Sequence, residues 1–267
     1  MERLDERHRI LETVCPIIDK VTAVEAVAQG WLSEYKEYKV VLHVKDLDSY
    51  VALNKEFNEH FEYFSYDFSL AMSMVGPAGY KRRIAYRDLL LKMNKSLNPS
   101  AVYKEITYHA AGLMRTMQAR KQFINAHPDK IRLTETIINA RKNSKIITFS
   151  STLAVAKQIP IGNTYSGRNT KKQGETVLNE FRKAQSGVLN TIKKANEGLD
   201  LTGLNCAIIL GQDSSKTTFI QRLGRCLRKE GDKVAEIFTF VIEDTVEETW
   251  FSKSHAGNKY ETIDEEN

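Results

Sequence analysis

Cysteine is scarce in this chain. Its three copies, Cys15, Cys206 and Cys226, are too few and too far apart for a zinc site or a disulfide framework. Five prolines and fourteen glycines in 267 residues exclude a fibrous or low-complexity chain, and no internal repeat is visible. No apolar run approaches the length of a membrane span. The first twenty residues are charged and interrupted by Pro16, which is not the pattern of a secretory leader. A reducing cytoplasm is therefore the expected compartment, a host's cytoplasm if the chain is viral. Also missing are a G-x-x-x-x-G-K-[ST] phosphate loop and a D-E-x-[DH] sequence after a strand. Two stretches imitate the former. Gly162–Asn169 has the glycine spacing but puts Arg168 and Asn169 where Lys and Ser/Thr are needed, and Gly211–Thr217 has no second glycine.

What is present is unevenly charged. The net charge is only +5, so its distribution matters more than its sum. Seven basic and two acidic residues lie between Arg168 and Lys194, whereas eight acidic and two basic residues follow from Glu243. A basic middle is suited to a polyanion, although a solvated face has the same composition.

Apolar patterning gives an α/β chain. Tyr35 to Val44 alternates and is rich in β-formers, so a strand is expected there. Helical spacing follows over Leu47–Phe61, Arg82–Asn94, Ala101–Asn125 and Ile131–Lys142. The aromatic, Met-rich stretch from Tyr63 to Tyr80 has no clear period. From Lys145 the pattern changes to short apolar runs alternating with helices. Strands are expected at Lys145–Phe149, Val188–Ile192, Cys206–Leu210 and Val234–Ile242. The intervening helices are expected at Leu153–Gln158, Lys172–Ala184 and Thr218–Lys229, with a last one at Val246–Phe251. Such alternation builds a parallel sheet covered by helices on both faces.

The segment Phe219–Arg228 concentrates chemistry. At helical spacing, Phe219, Ile220, Leu223, Cys226 and Leu227 share one face, and Gln221, Arg225 and Arg228 lie opposite. Guanidinium groups are planar forks matched to phosphate oxygens. An amphipathic helix with a solvated basic face has the same residues.

Gln221-Arg222-Leu223-Gly224-Arg225-Cys226-Leu227-Arg228 resembles motif VI of superfamily 2 helicases. Three neighbours stand in the family's order. Lys145–Ser151 resembles motif IV. Tyr165-Ser166-Gly167, with Lys172 and a helix to Phe181, resembles the segment that follows it. Val188–Thr191 with Asn196–Leu201 resembles motif V. The resemblance covers about Lys145–Thr245. More weakly, Glu2–Asp5, Cys15–Ile17, Glu25-Ala26 and Gly30–Ser33 are similar to the segment after motif III in phage and bacterial DNA helicases. Tyr165 stands where the family often has His, and Thr202 where it often has Pro.

The resemblance implies a RecA-like parallel sheet, the C-terminal lobe of such a helicase, over residues 35–253. A helical insertion would occupy about 47–142, a remnant or linker 1–34, and an acidic tail 254–267. It implies that Arg225 and Arg228 reach the γ-phosphate of ATP, with Gln221 beside that phosphate. Arg222, counted with the nucleotide-binding residues, would hold the motif against other contacts of the lobe, and Gly198 and Asp200 would sit by the nucleotide, with Asp200 near the ribose. Thr191, Ser150, Ser151 and Gly167 would meet the backbone of a bound strand. The implied cofactor is ATP with Mg2+, shared with a P-loop-bearing first lobe supplied in trans, and the chain has no metal site of its own. The implied strand is single- or double-stranded DNA, with RNA left open. The rival expectation is a non-catalytic module, binding nucleic acid or docking on a helicase, that has lost ATPase activity.

Overall fold

Short apolar runs can satisfy their backbone only beside one another, and here they do so in one sheet. In a computed structural model, seven strands take the order β3-β4-β2-β5-β6-β1-β7. The strands are β1 (Glu34–Leu42), β2 (Lys145–Phe149), β3 (Asn163–Tyr165), β4 (Gly187–Thr191), β5 (Cys206–Ile209), β6 (Val234–Ile242) and β7 (Glu261–Asp264). Every neighbouring pair is parallel, from Glu34 opposite Val234 to Tyr165 opposite Thr191. The structure describes residues 15, 23–167, 169–192, 201–212, 215, 218–219, 222, 224, 228 and 233–264.

The central strands are those legible in the sequence. β2 and β5 are buried along their whole length, and β6 is buried from Ile237 onward. Their side chains form one core, in which Ile147, Phe149, Leu189, Ala207, Ile209 and Ile237 meet Leu178 and Phe181. Two strands were not expected. β3 lies in what reads as a loop, and β7 lies in the stretch read as an acidic tail. All four residues of β7 are exposed, so its pairing with β1 has no apolar signature, and its charges suit an edge. Gly162, part of the false phosphate loop, has a structural reason instead. Its φ is +94°, and a Cβ there would lie 2.4 Å from the Val188 carbonyl oxygen.

Around the sheet stand α1 (Ala23–Ala28), α6 (Pro128–Ala140), α7 (Leu153–Ala156), α8 (Lys171–Lys183) and α9 (Val246–Ser254). Thr170 caps α8 in a reciprocal capping box with Gln173, and His127 caps α6 ahead of Pro128.

The chain divides into two compact units, residues 45–123 and the remainder. The smaller unit is helical: α2 (Leu47–Glu62), α3 (Phe68–Ser73), a 3-10 turn at Pro77–Gly79, α4 (Tyr80–Met93) and most of α5 (Pro99–Asn125). Phe64, Met74, Ile106 and Leu113 are at its core. The stretch without a clear period is held from outside itself, by the Arg83 guanidinium donating to the carbonyls of Met74 and Gly76. Two arginines of α5 are engaged here: Arg115 with Glu56, and Arg120 over the Phe57 ring at 4.2 Å.

Two buried polar pairs hold the sheet unit. Lys130 and Glu247 are both fully buried. The ammonium lies 2.7 Å from each carboxylate oxygen and donates to the Leu210 carbonyl at 3.0 Å. Burial lowers the proton affinity of Lys130 and raises that of Glu247, and each partner opposes the other's shift. The second pair is Glu37 on β1 and His255 after α9, with 3.3 Å between Oε1 and Nε2. The His255 Nδ1 faces the Phe251 carbonyl at 3.0 Å, which makes it the protonated nitrogen and leaves Nε2 as an acceptor. Burial pushes the Glu37 carboxyl up to about 7, against the Asn258 amide, and pushes His255 down to about 4. Near neutrality the Glu37 carboxyl is therefore still partly protonated and faces a neutral imidazole.

Removing one member of the first pair strands a buried charge. Lys130→Met should cost about 3–5 kcal/mol, and Lys130→Met with Glu247→Leu should recover most of it. Urea melts test this, and a double variant no better than the single one would refute it. For the second pair, the raised carboxyl favours folding at low pH, and that stability is lost as the pH rises through about 7. Glu37→Gln should thus gain roughly 2–3 kcal/mol on the wild type between about pH 5 and about pH 8. Melts at both values check this, and a constant gap would refute it.

Candidate functional site

A parallel sheet collects all its strand ends at one edge, where loops carry function. Here Phe149, Tyr165, Thr191, Ile209 and Ile242 end their strands at that edge. The ladder continues a little beyond them. The Ser150 amide donates to the Thr191 carbonyl at 2.9 Å, and the amides of Leu210 and Gly211 both donate to the Phe149 carbonyl, at 3.0 and 3.3 Å.

The loop Leu210-Gly211-Gln212 is pinned residue by residue. The Leu210 carbonyl accepts from Lys130. The Gly211 carbonyl accepts from the Arg222 guanidinium at 2.9 Å, and the Gln212 side-chain amide donates to the Glu247 carbonyl at 3.4 Å. The Glu247 carboxylate in turn accepts from the Ile242 amide at 3.1 Å, so the end of β6 is held by the carboxylate and the end of β5 by its Lys130 partner.

The expected strand contacts gather at this edge, but not in equivalent states. Ser150 is fully buried and Ser151 half-buried, and both hydroxyls lack a partner among the described residues. Gly167 follows β3 on an exposed turn. Thr191 differs from expectation. It is fully buried, and its hydroxyl donates to the Thr148 carbonyl at 2.6 Å, so that hydroxyl is committed to the sheet. The carbonyl of Thr191 instead fixes the Ser150 amide.

The arginines separate. Arg222 is 4% exposed and its guanidinium lies over the Phe149 ring at 5.1 Å, so it holds its segment to the strand ends and does not face solvent. Arg228 is exposed. Its backbone bridges Leu32, just ahead of β1, and its carbonyl accepts from the Ser33 hydroxyl at 3.0 Å. It therefore sits by the amino ends of β1 and β6, at the far end of the segment from Arg222. Gly224 between them has nothing within 4 Å of where a Cβ would be. Gln221, Arg225, Gly198 and Asp200 lie outside the described residues.

The aromatic residues around β1 are not alike. Tyr38 is stacked on Phe238 at 4.8 Å and Tyr35 packs against the core, whereas Trp31 is 63% exposed. No group of three or more His, Cys, Asp or Glu among the described residues is placed to hold a metal. None of the described helices is long and apolar enough to cross a membrane. Sequence reasoning missed Lys130, Glu247, Asn125 and Gln212. Each acts through a contact with a distant residue, which no local pattern announces.

Comparison with known proteins fits this geometry. Residues 129–230 match the family described as the helicase conserved C-terminal domain. The chain is 25% identical over 261 residues to the DNA 3'-5' translocase XPB2 of Sulfurisphaera tokodaii, covering 92% of this chain and 52% of that protein. It is 31% identical over 109 residues to DEAD-box ATP-dependent RNA helicase 49 of Arabidopsis thaliana, covering 36% of this chain and 20% of that protein. The chain thus spans about half the length of the translocase and a fifth of the RNA helicase. Its fold is similar to the C-terminal part of the Fun30 ATPase domain, with a TM-score of 0.52 and 16% identity over 85% of this chain and 91% of that one. Residues 129–230 of this seven-stranded parallel sheet thus resemble the helicase conserved C-terminal domain, and the fold is that of such domains.

Proposed function

We propose that this chain acts as the second lobe of an ATP-dependent nucleic-acid helicase or translocase, with DNA as the favoured strand. The observation that carries the reading is the division of labour along residues 210–228. Arg222 anchors the segment to the strand ends, and Arg228 stands exposed beside the stretch through which β1 is entered. A first lobe joined to that stretch, or docked against it, meets Arg228 directly. Similarity to a DNA translocase over most of this chain favours DNA.

In the proposed cycle Arg225 and Arg228 close on the γ-phosphate of a nucleotide held by the other lobe. They stabilise charge spread over the transferring phosphoryl group. ATP with Mg2+ supplies that group. On this reading the magnesium ligands belong to the other lobe. Gln221 lies beside the phosphate, with Gly198 and Asp200 by the nucleoside. Ser150, Ser151 and Gly167 meet the strand at the carboxyl edge, with Thr191 fixing the Ser150 amide from below.

A chain without the two phosphate motifs should not hydrolyse ATP by itself. Adding a lobe that carries them, in trans or fused ahead of Met1, should produce hydrolysis stimulated by DNA. Arg225→Ala and Arg228→Ala should then each lower kcat by about 10³-fold or more, with circular dichroism unchanged. Robust Mg2+-dependent ATPase from this chain alone, or turnover indifferent to both substitutions, would overturn the reading. DNA binding that ignores both nucleotide and Arg225 would establish a non-catalytic module instead.

A further inference from the structure

Eight of the twelve exposed large apolar residues among those described lie in the helical unit, residues 45–123. Three of them follow one another at the end of α4 and the turn after it. Leu89 is 52% exposed, Met93 77% and Leu97 39%. A spacing of four puts Leu89 and Met93 one turn apart on the same side of the helix. The other side of α4 is already spent, because Tyr86, Leu90 and Leu91 pack against the core around Phe64. Beyond Met93 the chain is fixed. The Asn94 amide donates to the Leu90 carbonyl at 2.9 Å, and the Asn94 side chain accepts from the Ser96 amide at 3.0 Å. The Asn98 side chain then accepts from the amides of Ser100 and Ala101, at 2.9 and 3.1 Å, where α5 begins. Met93 and Leu97 are therefore held out on a built tip between two helices.

The same stretch is basic. Between Tyr80 and Lys104 there are seven basic residues and one acidic residue. The acidic one, Asp88, is taken by Arg87 at 2.6 Å, and Arg83 is buried against the carbonyls of Met74 and Gly76. That leaves Lys81, Arg82, Lys92, Lys95 and Lys104, all exposed and with no acidic partner among the described residues. Cations gathered without counter-charge repel one another, and a polyanion relieves that repulsion. A helix that lies in a lipid interface needs a broad apolar face. α4 offers outward only the stripe of Leu89 and Met93, which is too narrow for that. Phosphates repeated along a strand match a row of cations, and an apolar side chain between them can wedge against bases.

We infer that the helical unit carries a nucleic-acid contact of its own, in which Arg82, Lys92 and Lys95 take phosphates and Met93 and Leu97 wedge against bases at a duplex fork. A blunt apolar tip cannot enter paired, stacked bases without opening them, whereas a fork already presents the face of its last pair. The wedge has no hydrogen-bonding group, so it reads no sequence. The contact lies outside residues 129–230 and is separate from Ser150, Ser151 and Gly167 at the carboxyl edge of the sheet. It rests on the proposed function for the polyanion being nucleic acid.

The test uses the full chain and a forked DNA duplex with 2-aminopurine at the junction, a base that brightens when it loses its stacking. The wild type should bind the fork and brighten the probe. Lys92→Gln with Lys95→Gln should weaken binding about tenfold or more at low salt, and should lower the slope of log affinity against log salt by about 1–2. Circular dichroism should be unchanged, and Lys81→Gln with Arg82→Gln serves if the first pair fails to fold. Met93→Ser with Leu97→Ser should keep the salt slope and lose the brightening. Fork binding of wild-type strength and slope in both cationic variants would overturn the contact, while the strand-binding lobe stands. Brightening that survives the Met93 and Leu97 changes would overturn the wedge. A wild-type chain that binds no fork would overturn the contact and the proposed function together. Capture by phosphatidylserine vesicles in place of DNA, lost in the lysine variant, would give the surface to a membrane and overturn the contact as well.

Discussion

The ammonium of Lys130 is shut off from bulk solvent, and its placement constrains the loops at the carboxyl edge. A buried cation is tolerable only if its donors are used, and here they go to both oxygens of Glu247 and to the Leu210 carbonyl. The carboxylate then takes the Ile242 amide. One pair therefore fixes the exit of β5, the exit of β6, the start of α6 and the start of α9. Apolar side chains of the same volume would fill the space as well, but they would not specify where Leu210 ends and Gln212 begins. The pair is better understood as a device for position than as a source of stability. The loop it positions is the one that leads into the arginine-bearing segment.

That logic explains which parts of the molecule were legible in the sequence. β2, β5 and β6 were found within a residue or two because buried strands are written in apolar side chains. β3 and β7 were missed because an edge strand is held by its backbone, and Glu261–Asp264 carries no apolar residue except Ile263. The stretch from Tyr63 to Tyr80 had no period because Arg83, a residue of the next helix, holds its carbonyls. The site divided along the same line. Ser150, Ser151 and Arg222 were visible through a resemblance carried by consecutive residues. Asn125 and Lys130 were not, since their significance arises only when the end of α5 and the start of α6 meet a loop some eighty residues further on. Thr191 shows the limit of motif reading from the other side. The residue stands where expected, yet its hydroxyl is taken by the neighbouring strand.

The position of Arg228 turns the same segment into a lever. Thr218, Phe219, Arg222 and Gly224 are helical, and Arg228 bridges Leu32 at the amino end of β1. In a parallel sheet the connection between β5 and β6 has to return from one edge to the other, so its two ends face different surroundings. One end holds the Gly211 carbonyl, next to Asn125 and Ser151. The other stands exposed where a neighbouring lobe would arrive. Arg222 is held between Phe149 and Gly211, which fixes the carboxyl-edge end of the connection. Under the proposed function, the neighbouring lobe is met at one end of this connection and the strand at the other. The buried Lys130–Glu247 pair is the fixed point against which that segment works.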